Sequence, residues 1–92
     1  MSAVDPTRDA VARGNRAETA FRRAVQLEFD AIRHHERIAT TLDLIASGQE
    51  RSAVANADPT WSVMAQRTRD RADAVRRRAD EARGRLRREG AL

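Results

Sequence analysis

Acidic and histidine side chains are concentrated in one short stretch of the sequence, where their types could ligate a metal ion. The set within nine residues is Glu28, Asp30, His34, His35 and Glu36. Metal sites in helical bundles use a Glu-x-x-His step and further carboxylates from facing helices. Here Ala31 stands three residues after Glu28, and arginines dominate the C-terminal half. We therefore expect no metal site. We expect instead that Glu28 pairs with an arginine such as Arg78, and that His35 makes a hydrogen bond between helices or sets the register of a dimer.

The sequence contains no pattern typical of an enzyme. Its serines lie at Ser2, Ser47, Ser52 and Ser62, and none stands in a Gly-x-Ser-x-Gly turn. There is no cysteine and no glycine-rich loop that could hold a phosphate. We therefore expect a non-enzymatic protein with no catalytic residue and no cofactor.

Arginine is the only basic residue besides histidine, with 18 in the chain. Ten of them fall from Arg67 onward against five acids, so this segment carries a charge of +5. The preceding residues carry −1, which gives the net charge of +4. Several acids follow at helical spacing, as Asp80 follows Arg76 and Glu81 follows Arg77, which compensates part of the charge. The candidates for contact with an acidic partner are Arg76, Arg77, Arg78, Arg83, Arg85, Arg87 and Arg88. We expect an acidic protein surface as the partner, and nonspecific binding to nucleic-acid phosphates is the alternative.

The C-terminal half keeps a seven-residue repeat that is typical of a packed helix. Asp58-Pro59 is a helix-start signal, so we predict a second helix from about 59 to 88. Two rows of the repeat form one seam: Trp61, Thr68, Val75, Ala82 and Ala65, Ala72, Ala79, Leu86. Arginines border this seam on both sides, so two copies of this helix would repel each other. Its neighbour should therefore be the first helix of the same chain.

The N-terminal half predicts a first helix from about 16 to 47, because apolar residues recur there in steps of three and four. Residues 1–15 are either an arm or the first turns of this helix, which begins with Asp5-Pro6 in the second case. Gly48 is predicted as the left-handed residue that ends the helix. Residues 48–58 would then form the connection.

Two helices of similar length joined by a short connection predict an all-α antiparallel helical hairpin as the single domain. Folding the chain about residue 53 places Glu36 near Arg69 and Glu28 near Arg78. The residues expected in the hairpin core are Leu42, Ile45, Trp61, Ala65, Ala72, Val75, Ala79 and Leu86.

The first helix has more apolar surface than a narrow alanine seam can cover. The residues left over are predicted to be Phe21, Val25, Phe29, Ile32 and Ala39. Exposed apolar surface favours association, so we expect a homodimer with the first helices at the centre of a four-helix bundle. A different protein docking on the same residues is the alternative. No apolar run resembles a signal peptide or a membrane span, and we expect a cytoplasmic protein that does not bind membranes.

Overall fold

The computed structural model describes residues 5–92 as two α-helices packed side by side in opposite directions. Helix α1 runs over Pro6–Asn56 and helix α2 over Pro59–Arg88. Residues 5–92 contain no strand. The predicted all-α helical hairpin is therefore confirmed, and α2 has the bounds that its sequence indicates.

Both helices begin with the same capping arrangement. The Oδ1 atoms of Asp5 and Asp58 accept hydrogen bonds from the backbone N–H groups of Thr7 and Thr60, each at 2.9 Å. A proline follows each aspartate, where its fixed φ suits the first helical turn. From Pro6 the helix continues without interruption, so its start lies at the earlier of the two expected positions. Residues 1–4 of the predicted arm lie outside the described residues.

Helix α1 does not end at Gly48, and the prediction of a connection over residues 48–58 is wrong. The helix continues to Asn56, and the turn consists of Ala57 and Asp58 alone. Residues 49–56 include strong helix formers such as Gln49, Glu50 and Arg51, and they contact the start of α2. The chain leaves the helix at Ala57, which has the left-handed φ of 48°. Pro59 then disfavours helical geometry at the residue before it.

The interface between the helices is a narrow seam of mostly small side chains. Helix α1 contributes buried residues seven apart: Ile32, Ala39 and Ala46. Helix α2 contributes Ala65, Ala72, Ala79 and Leu86 with the neighbouring row Thr68 and Ala82. Leu86 is the largest fully buried side chain. At this end of the seam Ile32, Ala79, Ala82 and Leu86 form one cluster, with Val25 and Phe29 packed against it.

The row of α1 that faces α2 is not the row that the sequence interpretation placed there. Ile32 and Ala39 are 4% and 1% exposed within the single chain, so their assignment to a dimer interface is wrong. Val25 and Phe29 are half-buried against the same cluster, and Phe21 is exposed. Conversely Ile45, expected in the hairpin core, is 46% exposed. Leu42, Trp61 and Val75 are half-buried at the border of the seam.

Helix α1 is much longer than its partner. Its 51 residues span about 76 Å and the 30 residues of α2 about 45 Å at 1.5 Å per residue. Because the C-terminal turn of α2 reaches only as far as Val25 and Glu28, the segment 6–24 has no packing partner among residues 5–92. We call this segment the arm. No arm residue is buried, and only Ala12 is partly covered.

The two ends proposed for α1 are distinguished by replacing Gly48 with alanine. A Cβ at this position would lie 3.6 Å from a guanidinium nitrogen of Arg51, an ordinary contact. Because alanine restricts the unfolded chain and favours helices, Gly48→Ala should raise the free energy of unfolding by about 0.5–1 kcal/mol. Urea denaturation followed by circular dichroism measures this change.

Gly90→Ala is the matched control, because Gly90 has a φ of +77°. Alanine is strained in that conformation, so this variant should lose about 1 kcal/mol or less, since the residue lies at the end of the chain. If Gly48→Ala destabilised the protein instead, Gly48 would be a left-handed helix end after all.

Candidate functional site

One edge of the α2 seam is formed by arginines that bind acids of α1. Arg69 Nε donates to Glu50 Oε1 at 2.6 Å, and its Nη1 lies 3.6 Å from Asp43. Arg76 forms an ion pair with Asp43, and Arg83 forms one with Glu36. These arginines are spaced by seven residues, as are the three acids, so the pairs form a continuous row along one side of the hairpin. We call this row the ion-pair edge.

Arg85 is paired on the opposite edge of the seam. Its Nη2 and Nε donate to Glu28 Oε1 at 2.7 and 3.1 Å. The expected pairs of Glu28 with Arg78 and of Glu36 with Arg69 are therefore wrong. Acids of α1 do meet arginines of α2, but the chain turns at Ala57 and Asp58 rather than near residue 53, so each acid meets an arginine further along α2.

The seven arginines predicted to contact a partner thus divide into two groups. Arg76, Arg83 and Arg85 are bound to acids of α1. The other four have exposed side chains, and within residues 5–92 no carboxylate lies within 4 Å of their guanidinium nitrogens. They are Arg77, Arg78, Arg87 and Arg88, and we call them the free arginines. Arg67 and Arg71 are also exposed on α2.

Charge compensation along α2 also differs from the expected pattern. Asp80 lies 3.1 Å from Arg83, and Asp73 lies 3.6 Å from Arg76. These acids therefore reinforce the ion-pair edge. Glu81, expected to compensate Arg77, forms no such contact within the described residues. Among the seven predicted arginines, the positive charge that remains unpaired is therefore that of the four free arginines, in the C-terminal half of α2, while Arg67 and Arg71 add exposed charge in its N-terminal half.

The cluster of acids and histidines does not form a metal centre in the described part of the chain. Within residues 5–92, no three side chains of this kind converge where they could hold an ion. Asp30 accepts hydrogen bonds from Gln26, at 3.0 Å, and from Arg33. His35 is half-buried, and its Nδ1 atom is buried without a hydrogen-bond partner in residues 5–92. The interhelical hydrogen bond expected for His35 is therefore not formed by this atom.

The sequence interpretation missed one surface, an exposed apolar row on the outer side of α1. Leu27 is 70% exposed and Ile45 46% exposed, with the half-buried Ile38 between them. This row is bordered by arginines such as Arg23 and Arg37, whereas the row that faces α2 is bordered by acids. The signs of these neighbouring charges are the signal that could have distinguished the two rows.

Two carboxyl groups have a pKa below the ordinary value because arginines donate to them. The hydrogen bond from Arg69 lowers the pKa of Glu50, and burial opposes this shift. The hydrogen bond from Arg33, followed by that from Gln26, lowers the pKa of Asp30. Hydrogen bonds to Glu50 and Asp43 likewise raise the pKa values of Arg69 and Arg76. All four groups remain charged at neutral pH.

Across residues 5–92, neither helix has a segment long and apolar enough to cross a membrane. Comparison of the chain with protein-family models, with curated proteins and with solved structures finds no match. The proposals below therefore rest on the residues and geometry of this chain.

The ion-pair edge predicts a specific pH dependence of stability. A carboxyl whose pKa is lowered by folding stabilises the protein above its unfolded pKa, here about 4.5. That contribution is lost as the pH falls through the lower folded pKa. The urea midpoint of the wild type should therefore exceed that of Glu50→Gln at neutral pH, and the difference should shrink as the pH falls below about 4.5. Urea denaturation at fixed protein concentration across this range measures both.

Glu89→Gln is the control, because it removes one exposed carboxylate outside the cross-helix pairs. Its urea midpoint should follow that of the wild type across the range. Parallel curves for the wild type and Glu50→Gln would contradict the stabilising role of the Arg69–Glu50 pair.

Proposed function

We propose that this protein is non-enzymatic and acts by binding an acidic surface of another protein, as a small regulator, inhibitor or assembly factor. The observation that carries this proposal is the division of the α2 arginines. Those on the seam are neutralised by α1, whereas the free arginines are exposed near one end of the hairpin. A guanidinium group offers a planar pair of donors that fits a carboxylate, so such a group of arginines suits an acidic partner.

The ion-pair edge supports this proposal because it holds α2 in place without using the free arginines. Exposed ion pairs each contribute only about 0–1 kcal/mol to stability, but the four in this row, made by three arginines and three acids, act together to favour one orientation of α2. The free arginines are then presented on a helix whose position is set by other residues. A surface held in this way loses less conformational freedom on binding than one on a flexible segment.

Nonspecific nucleic-acid binding is the second candidate, and the same free arginines favour it. The segment from Arg67 onward carries ten arginines against five acids, and phosphates attract such a segment at low salt. Trp61 is the only aromatic residue of α2 and lies at its other end, so no aromatic side chain is available to stack on bases beside these arginines. We therefore favour the protein partner.

We also propose that the protein acts in the cytoplasm as a homodimer with the α1 helices at the centre of a four-helix bundle. The exposed apolar row of α1 supports association, because Leu27 and Ile45 lie in water in the single chain. Each square ångström of such apolar surface removed from water contributes about 25 cal/mol. A thin alanine seam leaves a chain of this size with little other burial.

Replacing the free arginines with glutamine tests the partner surface. The variant carries Arg77→Gln, Arg78→Gln, Arg87→Gln and Arg88→Gln, and it should lose partners from a native-host lysate by about 10-fold or more, since four exposed charge contacts disappear. Capture on immobilised protein followed by quantitative mass spectrometry measures this loss. Partners lost in this way should present acidic surfaces.

The control variant neutralises four exposed arginines elsewhere, at Arg8, Arg13, Arg67 and Arg71. It has the same net charge as the test variant and should retain the partners. An identical set of captured proteins for all three baits would overturn the proposed surface. A shift of duplex DNA or of RNA in a native gel that weakens steeply between low and moderate salt would favour the nucleic-acid alternative.

A further inference from the structure

Helix α1 carries a second seven-residue seam that no other part of residues 5–92 covers. Its residues alternate in steps of three and four and are Ala17, Ala20, Ala24, Leu27, Ala31, His34, Ile38, Thr41 and Ile45. All are exposed except the half-buried Ile38. The alternation is that of a coiled-coil seam, and the seam lies rather more than a third of a turn from the row that faces α2. We call it the outer seam.

The outer seam extends over both parts of α1. Its first third, through Ala24, lies on the arm, which has no packing partner in the described part of the chain. The remainder lies beside the hairpin, where Leu27, Ile38 and Ile45 are its large apolar residues. An uncovered arm and an uncovered seam on the hairpin therefore belong to one continuous surface.

We propose that the outer seam binds the outer seam of a second copy, with the two α1 helices antiparallel about a two-fold axis between Ala31 and His34. This proposal rests on the self-association proposed above and names its surface and register. The arm of each copy then lies along the hairpin of the other, so the segment without a partner in one chain acquires one in the dimer.

Packing in this register sets a large residue against a small one at the ends of the seam and beside the axis, with a pair of large residues between them. Positions whose numbers add to 65 lie at the same level, so Ala20 meets Ile45 of the second copy and Ala24 meets Thr41. Leu27 meets Ile38 on either side of the axis. A large side chain opposite a small one fills a seam without a void or a clash. A parallel pair would instead set the alanines of the two arms against each other, which buries little surface.

Charges beside the seam select the same register. The residues of one edge, spaced by seven, are Arg16, Arg23, Asp30, Arg37, Leu44 and Arg51. In an antiparallel pair this edge meets itself. The proposed register brings Asp30 near Arg37 of the second copy, twice by symmetry, and it brings Arg16 near Arg51 at the two ends of the seam. A shift of one heptad would bring Arg23 near Arg37 and Asp30 near its own copy, or Arg37 near Arg37. Both shifts oppose like charges near the axis and lose both Asp30–Arg37 pairs.

The other edge of the seam is also self-complementary. Phe21, which is 49% exposed on the arm, comes to the level of the half-buried Leu42 of the second copy. His35 comes to the level of Glu28 of the second copy. The apolar pair of Phe21 and Leu42 therefore agrees with the register that Asp30 and Arg37 favour.

Analytical ultracentrifugation of Ile38→Asp tests the surface. Wild-type protein should sediment as a dimer at micromolar concentration. The substitution places one aspartate from each copy in the two-fold interface. Because both carboxylates lose water there, the dimer dissociation constant should rise by at least about 30-fold. Circular dichroism shows whether the helices persist. Val54→Asp is the control, because Val54 is 86% exposed on α1 and outside both seams; it should remain a dimer.

Introduced cysteines test the orientation, since the chain has no cysteine of its own. Leu27→Cys and Ile38→Cys should form an intermolecular disulfide when the two variants are mixed and mildly oxidised. Neither variant should do so alone, because in the antiparallel register the same residue of the two copies is separated by about 16 Å along the helix axis. A parallel pair would reverse this result, with each variant linking to itself.

Exchanging the edge charges tests the register independently. Arg37→Asp alone should weaken the dimer, and Asp30→Arg combined with Arg37→Asp should restore it. Failure of the double variant to restore it would overturn the register. A wild-type monomer would overturn the proposed association together with this surface, whereas an Ile38→Asp variant that remains as tight a dimer as the wild type would overturn the outer seam alone.

Discussion

The ion-pair edge decides which face of α1 turns towards α2. Helix α2 has arginines on both borders of its seam, so the facing helix must bring acids to at least one border. Only the row through Ile32, Ala39 and Ala46 is bordered by Glu36, Asp43 and Glu50. Turning the outer seam inward would place Arg23 and Arg37 beside the same arginines. Each exposed pair is individually weak, but the inner row brings acids to the α2 arginines where the outer seam would bring mostly arginines, and this difference favours the observed packing.

A seam of alanines lets the two helices approach closely at the cost of a thin core. Leu86 and Ile32 provide most of the large side chains, and both lie near the C-terminal end of α2. Nearer the turn, the contact depends on Ala46, Ala65 and the polar contact between Thr68 and Gln49, whose side chains are 2.8 Å apart. Such a core offers little apolar burial for 92 residues, and a helix with a second apolar seam has a physical reason to bind another helix.

The sequence was sufficient for α2 and for the class of fold because local and tertiary signals agree there. Asp58-Pro59 caps the helix, the heptad positions are buried at Ala65, Ala72, Ala79 and Leu86, and arginine borders exclude self-pairing. For α1 the local signals were ambiguous. Gly48 resembles a helix end, but contacts of the following residues with α2 outweigh its low helix propensity. Because the turn lies later in the chain than expected, Glu28 and Glu36 pair with arginines further along α2 than the sequence interpretation predicted.

Which row of α1 faces inward could not be predicted from apolar spacing alone, because both rows have it. The row with Ile38, Leu42 and Ile45 contains larger side chains and was therefore expected in the core. Border charges contradict that choice, but they become informative only when the two helices are considered together. Hydrophobic periodicity identifies how many seams a helix has, whereas the charges beside them identify what each seam binds.

The two proposals meet at the two-fold axis. Ile32 lies beside the proposed axis and packs against Ala79, Ala82 and Leu86 of its own chain, so the C-terminal half of α2 lies there as well. In the dimer the free arginines of both copies would therefore be close together. Repulsion is limited because Arg83 and Arg85, on the seam borders, are neutralised by Glu36 and Glu28.

A partner with two acidic segments would then bind both copies at once, and the second contact would form at the high effective concentration set by the first. Dimerisation through the outer seam would in this way convert four weak contacts per chain into one stronger basic surface.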